Sequence, residues 1–183
     1  MKIKIIGSRP KKMTLISKLI CWYENKTNRW DFYKYVVFGK YEKKDISHII
    51  YLIDDTVYEA VREGFLSCKY EDWLKENHRV WEQDIVKRYF FSEERCVRFE
   101  DDCKAFVVKK TKYGTLTLVG IIINDKTDLT WFADGTKRVI CSEVAIYLLK
   151  DYIGALTKPA DYYTPLDIIK LLKMEYVFNG ENF

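Results

Sequence analysis

The stretch "DISHIIYLIDDTVYEA", Asp45 to Ala60, decides the fold: two apolar runs flank an acidic pair, and the first run holds one of only two histidines in the chain. "SHIIYLI" and "TVYEA" are rich in β-branched and aromatic residues, and Asp54 and Asp55 between them read as a two-residue hairpin turn. With that turn Ile53 faces Thr56, and cross-strand partners have residue numbers summing to 109. Ile50 then faces Glu59, and His48 faces Val61. Side chains alternate along a strand, so His48, Ile50, Glu59 and Val61 share one side of the sheet. His48 and Glu59 become diagonal neighbours, about 7–8 Å apart at Cα and within side-chain reach. A carboxylate there holds one imidazole nitrogen and leaves the other free for chemistry. The competing reading is a structural His–Glu pair in a half-buried hairpin, which satisfies a histidine that would otherwise be desolvated.

Outward from the hairpin, "MKIKIIGS" alternates and reads as a short first strand that breaks at Gly7. Met13, Ile16, Leu19, Ile20 and Tyr23 recur at helical spacing behind Thr14 as N-cap, which predicts a helix over Met13 to Tyr23. "FYKYVVF", Phe32 to Phe38, is β-rich. Tyr70 to Tyr89 mixes charged and aromatic residues in a helix-like pattern, with Trp73, Leu74, Trp81, Ile85 and Val86 as its inner face. "CVRFE" reads as a strand, Asp101 to Lys110 as helical or extended, and "TLTLVGIII" as a buried strand or the start of a helix. "CSEVAIYLLKDYI" from Cys141 is a helix with Val144, Ala145, Leu148, Leu149 and Tyr152 on one face, and Gly154 fits its stop. "TPLDIIKLLK" opens a last helix with Thr164 as N-cap, Pro165 at N1 and Asp167 at N3.

The 183 residues suffice for one domain with a proper core and are too few for two comfortable ones, so a single domain over 1–183 is expected. Hydrophobic residues at 48% and only three prolines argue for a packed chain rather than a disordered one. The net charge of +4 is spread along the chain; only "RPKK", Arg9 to Lys12, approaches a basic patch, so no nucleic-acid partner is expected. Five cysteines, Cys21, Cys68, Cys96, Cys103 and Cys141, lack CxxC pairs or a secreted disulfide pattern, which suggests a reducing compartment. The N-terminus lacks the apolar core of a signal peptide, and no run approaches the roughly 20 apolar residues of a membrane span, so the expectation is a cytoplasmic protein. Two distant histidines without ligand spacing make no metal site, and His78 in "ENHRVWEQ" reads as solvent-facing on a helix.

Cys141 changes the weight of the His48–Glu59 pair. It follows the β-branched Val139 and Ile140 and sits in the first turn of its helix. A thiol there meets the positive end of the helix dipole and unpaired backbone N–H groups, which favour the thiolate and can stabilise an oxyanion. The other four cysteines read as small buried hydrophobes.

Taken together, "IGSRPKKMTLISKLICWYE", "SHIIYLI", "VYEA", "CSEVAIYLL" and "TPLDIIKLL" resemble the circularly permuted papain-like branch of the NlpC/P60 superfamily, in particular its small phage-encoded and YiiX-like members. There the histidine strand precedes the cysteine helix, as it does here. The resemblance implies an α+β fold, an antiparallel sheet packed against a cysteine-bearing helix. It implies Cys141 as nucleophile, His48 as general base and Glu59 as the residue that orients the imidazole, with no cofactor. It implies a thiol hydrolase, an amidase or peptidase, whose partner is a peptide, peptidoglycan or other acyl substrate. If the chain is phage-encoded, its place is the host cytoplasm, and reaching peptidoglycan needs a holin or virion delivery. Two other outcomes stay open at this point: a noncatalytic phage protein that engages a host protein, and a lipid-directed acyltransferase, which needs an exposed apolar surface near Cys141.

Overall fold

A computed structural model of the chain describes residues 1–15, 17–23, 46–61, 63–108, 112–113, 138–152 and 163–178. Its centre is a five-stranded antiparallel sheet in the order β4-β3-β2-β1-β5, built from β1 (Ile3–Pro10), β2 (His48–Ile53), β3 (Thr56–Val61), β4 (Gly64–Lys69) and β5 (Asn77–Asp84). The chain is therefore of mixed helix and sheet, compatible with α+β. Two further short strands, β6 (Lys112–Tyr113) and β7 (Arg138–Val139), pair in parallel.

The hairpin register is the one read from the sequence. Ile50 pairs with Glu59, Tyr51 with Tyr58, Leu52 with Val57 and Ile53 with Thr56. The turn lacks the glycine that a tight hairpin favours, and Asp54 takes the left-handed conformation itself, at φ 49°. Its backbone N–H donates to the Lys2 carbonyl at 2.9 Å, and its Oδ1 accepts from the Lys2 N–H at 2.8 Å. These bonds tie the turn to the start of β1.

Both faces of the sheet are covered. Ile3, Ile5, Ile49, Tyr51, Ile53, Tyr58, Ala60 and Phe65 point to one side, where they form a core with the helices α4 (Glu93–Val108), α5 (Cys141–Leu149) and α6 (Pro165–Phe178). Ile6, Ile50, Leu52 and Val57 point to the other, against Trp73 of α2 (Tyr70–Glu76). Gly7 sits where a side chain has no room: a Cβ there would lie 3.0 Å from Ile169 Cδ1 and 3.2 Å from Ile46 Cδ1. The strand does not break at Gly7, as expected from the sequence, but continues to Pro10, with an irregularity between Gly7 and Ser8 in its pairing to β5.

Helical residues over 17–23, here α1, follow Thr14, whose Oγ1 accepts from the Ser17 N–H at 3.1 Å, so the predicted cap is present. Ile20, Cys21 and Tyr23 are buried, whereas Leu19, expected inside, is exposed. Tyr70 to Tyr89 is not one helix. It divides into α2, the edge strand β5 and α3 (Ile85–Tyr89), because Asn77 leaves the helix in an extended conformation and the following residues pair with β1. "CVRFE" is not a strand but part of α4: Cys96, Phe99 and Cys103 recur at helical spacing and all three are buried, a period invisible in a window of five residues. Asp101 to Val108 is helical, and Lys109 and Lys110 lie outside the described residues. So do Phe32 to Phe38, Thr115 to Ile123 and Gly154. At α6 the Asp167 N–H donates to Thr164 Oγ1 at 3.2 Å and the Thr164 N–H to Asp167 Oδ2 at 3.1 Å, a reciprocal cap read correctly from "TPLD".

Candidate active site

His48 opens β2 and Glu59 lies within β3, on the side of the sheet that faces α2. The diagonal contact expected from the register is made: His48 Nε2 lies 3.0 Å from Glu59 Oε2. The side chains keep only 16% and 15% of their surface exposed, so this is a part-buried pair rather than a solvated surface bridge. The same carboxylate oxygen accepts from Trp73 Nε1 at 3.2 Å. Trp73 was read from the sequence as core only; helical spacing carries no signal for where an indole N–H points.

Cys141 comes from the opposite side of the sheet. Helix α5 packs on β2 and β3, and the Tyr51 hydroxyl donates to the Ala145 carbonyl, which fixes the helix over the odd-numbered face. The pairing of β2 with β3 ends at Ile50 and Glu59, leaving the Ile49 N–H to the helix start, where it donates to the Cys141 sulfur. The Ser142 N–H donates to the same sulfur, and the thiol is hydrogen-bonded to His48. With Nε2 committed to Glu59, Nδ1 is the ring nitrogen left for Cys141. The three residues picked out by the sequence thus meet in one chain of contacts, Cys141 to His48 to Glu59.

The start of α5 explains why its N–H groups are available. Ile140 occupies the N-cap in an extended conformation and has no side-chain acceptor to offer. Its own N–H is taken by Glu143 Oε2 at 3.3 Å, and its carbonyl accepts from Val144 at 3.1 Å. The Ser142 N–H, which a serine or aspartate cap commonly claims, goes to the sulfur instead.

Electrostatics follow from this geometry. Burial acts first and lowers the His48 pKa, but the charge and hydrogen bond of Cys141, then those of Glu59, outweigh it and raise the imidazole to about 10. Burial likewise pushes the Cys141 thiol up, and the imidazolium together with the Ile49 and Ser142 N–H groups overcomes it, so the thiol is held below its usual range. Glu59 is raised by burial and lowered more by His48 and Trp73, with a net downward shift. The favoured state is a thiolate–imidazolium pair oriented by a carboxylate. Cys68, Cys96 and Cys103 behave oppositely: burial pushes all three up.

None of the five cysteines forms a disulfide; Cys21, Cys96, Cys103 and Cys141 are buried and Cys68 is half-buried. His78 is exposed on β5, a strand rather than the expected helix, and far along the chain from the Cys141 contacts. Among the described residues no group of three or more His, Cys, Asp or Glu side chains is placed to hold a metal ion. No described helix is long and apolar enough to cross a membrane. The chain matches no protein-family model, no curated protein and no solved structure.

Proposed function

We propose that this chain is a thiol hydrolase or acyltransferase of the permuted papain-like kind, acting on an amide or ester through Cys141, His48 and Glu59. One observation carries the reading: the helix-terminal thiol is hydrogen-bonded to an imidazole whose Nε2 lies 3.0 Å from a part-buried carboxylate. The order of histidine strand before cysteine helix, and the antiparallel sheet that bears the histidine, support the same family.

The chemistry follows from the pair. The Cys141 thiolate attacks the carbonyl carbon of the substrate, and backbone N–H groups that had bonded the sulfur are freed for the oxyanion as the sulfur becomes covalently bound. The carbon–leaving-group bond breaks as His48 gives its proton to the departing nitrogen or oxygen. Water, or another acceptor in a transferase, then surrenders a proton to His48, attacks the thioester and releases the thiolate. Glu59 keeps the ring oriented and stabilises its charge, and the indole of Trp73 keeps Glu59 in place. A peptide or peptidoglycan stem peptide is the substrate class this reading favours.

The test is thiol reactivity at pH 7 with iodoacetamide. Cys141 is expected to be alkylated ahead of Cys68, although Cys68 is the more exposed of the two, because the thiolate and not the thiol is the nucleophile. His48→Ala should abolish that lead. Equal labelling of Cys141 and Cys68 in the native chain, unchanged by His48→Ala, would sink the catalytic reading and leave a binding protein.

A further inference from the structure

Three serines around the proposed site are buried and lack a hydrogen-bond partner among the described residues: Ser8, Ser47 and Ser142. Burying a hydroxyl without a partner is costly, and such groups are few in folded proteins. All three lie beside the site in sequence or in register. Ser142 follows Cys141, Ser47 precedes His48, and Ser8 is the direct cross-strand partner of His48 on β1. Ser8 is the most pointed of them. Directly paired residues of an antiparallel pair project to the same face, with Cβ atoms about 4.5–5.5 Å apart. The imidazole is thus flanked by the Glu59 carboxylate on its β3 side and by the Ser8 hydroxyl on its β1 side, and Ser8 is wholly buried. The carboxylate is used by His48 and Trp73, whereas the hydroxyl makes no hydrogen bond among the described residues.

We propose that Ser8 contacts the atom with which His48 exchanges its proton, an inference that rests on the hydrolase reading above. In the first half-reaction that atom is the leaving nitrogen or oxygen of the substrate. The thiolate has added to the carbonyl, the bond from carbon to the leaving atom breaks, and the imidazolium proton goes to the leaving atom. In the second it is the oxygen of the incoming water. That oxygen bonds to the thioester carbon, its proton returns to His48, and the carbon–sulfur bond breaks to regenerate the thiolate. Both atoms occupy one place beside the imidazole, because the second step reverses the proton transfer of the first. A serine hydroxyl both donates and accepts, so it suits an amine, an alcohol and a water in turn. The imidazole keeps 16% of its side-chain surface exposed, the approach by which such a group arrives.

The probe is p-nitrophenyl acetate, whose leaving group departs as an anion and needs no proton, so that its burst reads acylation without Ser8 and its steady state reads attack by water. The Cys141→Ala protein gives the background. For Ser8→Ala we expect a burst of wild-type rate and amplitude, a steady-state rate lower on the order of tenfold, and recovery of that rate when hydroxylamine, which attacks thioesters without a general base, replaces water as acceptor. The melting temperature should be unchanged or higher, since the substitution removes a hydroxyl that makes no hydrogen bond among the described residues. An unchanged steady-state rate overturns the proposal. So does a reduced burst amplitude with a lower melting temperature, which makes Ser8 a packing residue. If the native chain gives no burst above the Cys141→Ala background, the hydrolase reading itself fails and this inference falls with it.

Discussion

Replacing Glu59 by glutamine isolates the charge that holds the proposed thiolate–imidazolium pair. The amide keeps the size of the side chain and an oxygen that can accept from His48 Nε2 and Trp73 Nε1, which lie 3.0 Å and 3.2 Å from the carboxylate oxygen. What is lost is one negative charge beside the imidazolium. Two unit charges about 4 Å apart interact by about 4 kcal/mol at an effective dielectric constant of about 20, an upper bound here. Carboxylates at such distances shift a partner by about 1–3 pKa units, or about 1.4–4 kcal/mol. The ion pair therefore loses about ten- to a thousandfold of its advantage over the neutral thiol–imidazole pair. As His48 loses its charge, the main cause of the lowered Cys141 pKa goes with it. The assay is the pH dependence of iodoacetamide alkylation at Cys141, read by mass spectrometry. The half-maximal point should move up by about one unit or more, and the rate at pH 7 should fall about tenfold or more. Circular dichroism establishes that the variant is folded. A folded Glu59→Gln protein with the wild-type profile would refute the role given to Glu59, and would return the His48–Glu59 contact to a structural one.

Three further outcomes follow from the same geometry. Stability, measured by denaturant unfolding across pH, should fall as pH rises from about 9 to about 10, because there the unfolded chain has given up the Cys141 proton at its ordinary 9.0 while the folded chain keeps the imidazolium proton until about 10. Toward acid it should fall again as pH drops below the ordinary 4.5 of Glu59, whose folded pKa is lowered; stability that stays level between about pH 9 and 10 would contradict the ion pair. Asp54→Ala should cost about 1–2 kcal/mol through the left-handed φ and the lost bond to the Lys2 N–H, while Asp54→Asn, which tolerates both, stays within about 0.5 kcal/mol; equal losses in the two would discount the turn geometry. Ile140→Thr places a hydroxyl at the N-cap of α5 that competes with the Cys141 sulfur for first-turn N–H groups, so the alkylation profile should move to higher pH, whereas Ile140→Val, a packing control without an acceptor, should leave it in place.

The parts legible in the sequence are those whose period is short and whose partner is near in the chain. The hairpin register came from an alternation of two and a turn of two, and the Ile50–Glu59 pair was found where the sum of 109 puts it. The Thr164 and Asp167 cap was legible for the same reason: donor and acceptor lie three residues apart. Strand β5 was not, because it exists through pairing with β1, some seventy residues earlier, and its local mix of charge and aromatics suits a helix equally well. Helix α4 was missed at Cys96 because five residues hold little more than one turn. Around His48 the diagonal contact to Glu59 was legible, and that of Trp73 was not. Nothing in "KYEDWLKE" says that the Trp73 indole ends on Glu59, since that contact is set by how α2 lies across β3. The described residues build a five-stranded antiparallel sheet with helices on both sides, and its assignment to the permuted papain-like class belongs to the proposed function.

The two C-terminal helices begin in opposite ways, and the contrast bears on function. At α6, threonine, proline and aspartate stand where helix-start rules want them, and the cap closes on itself. At α5, an isoleucine sits at the N-cap, a cysteine at N1, and the hydroxyl of Ser142 bonds nothing among the described residues. Capping α5 as α6 is capped would be worth about 1 kcal/mol. The three serines whose hydroxyls make no hydrogen bond among the described residues, and the helix start without a side-chain acceptor at its N-cap, all adjoin Cys141 or His48 in sequence or in register. Local rules broken together at one place are what a site looks like when its polar groups are reserved for something other than the fold. A structural His–Glu pair would explain the contact between β2 and β3, but it gives no reason for the open helix start or for the idle hydroxyl across from His48. The hydrolase reading accounts for all three at once, since it needs N–H groups at the sulfur, a carboxylate behind the imidazole and a polar group in front of it.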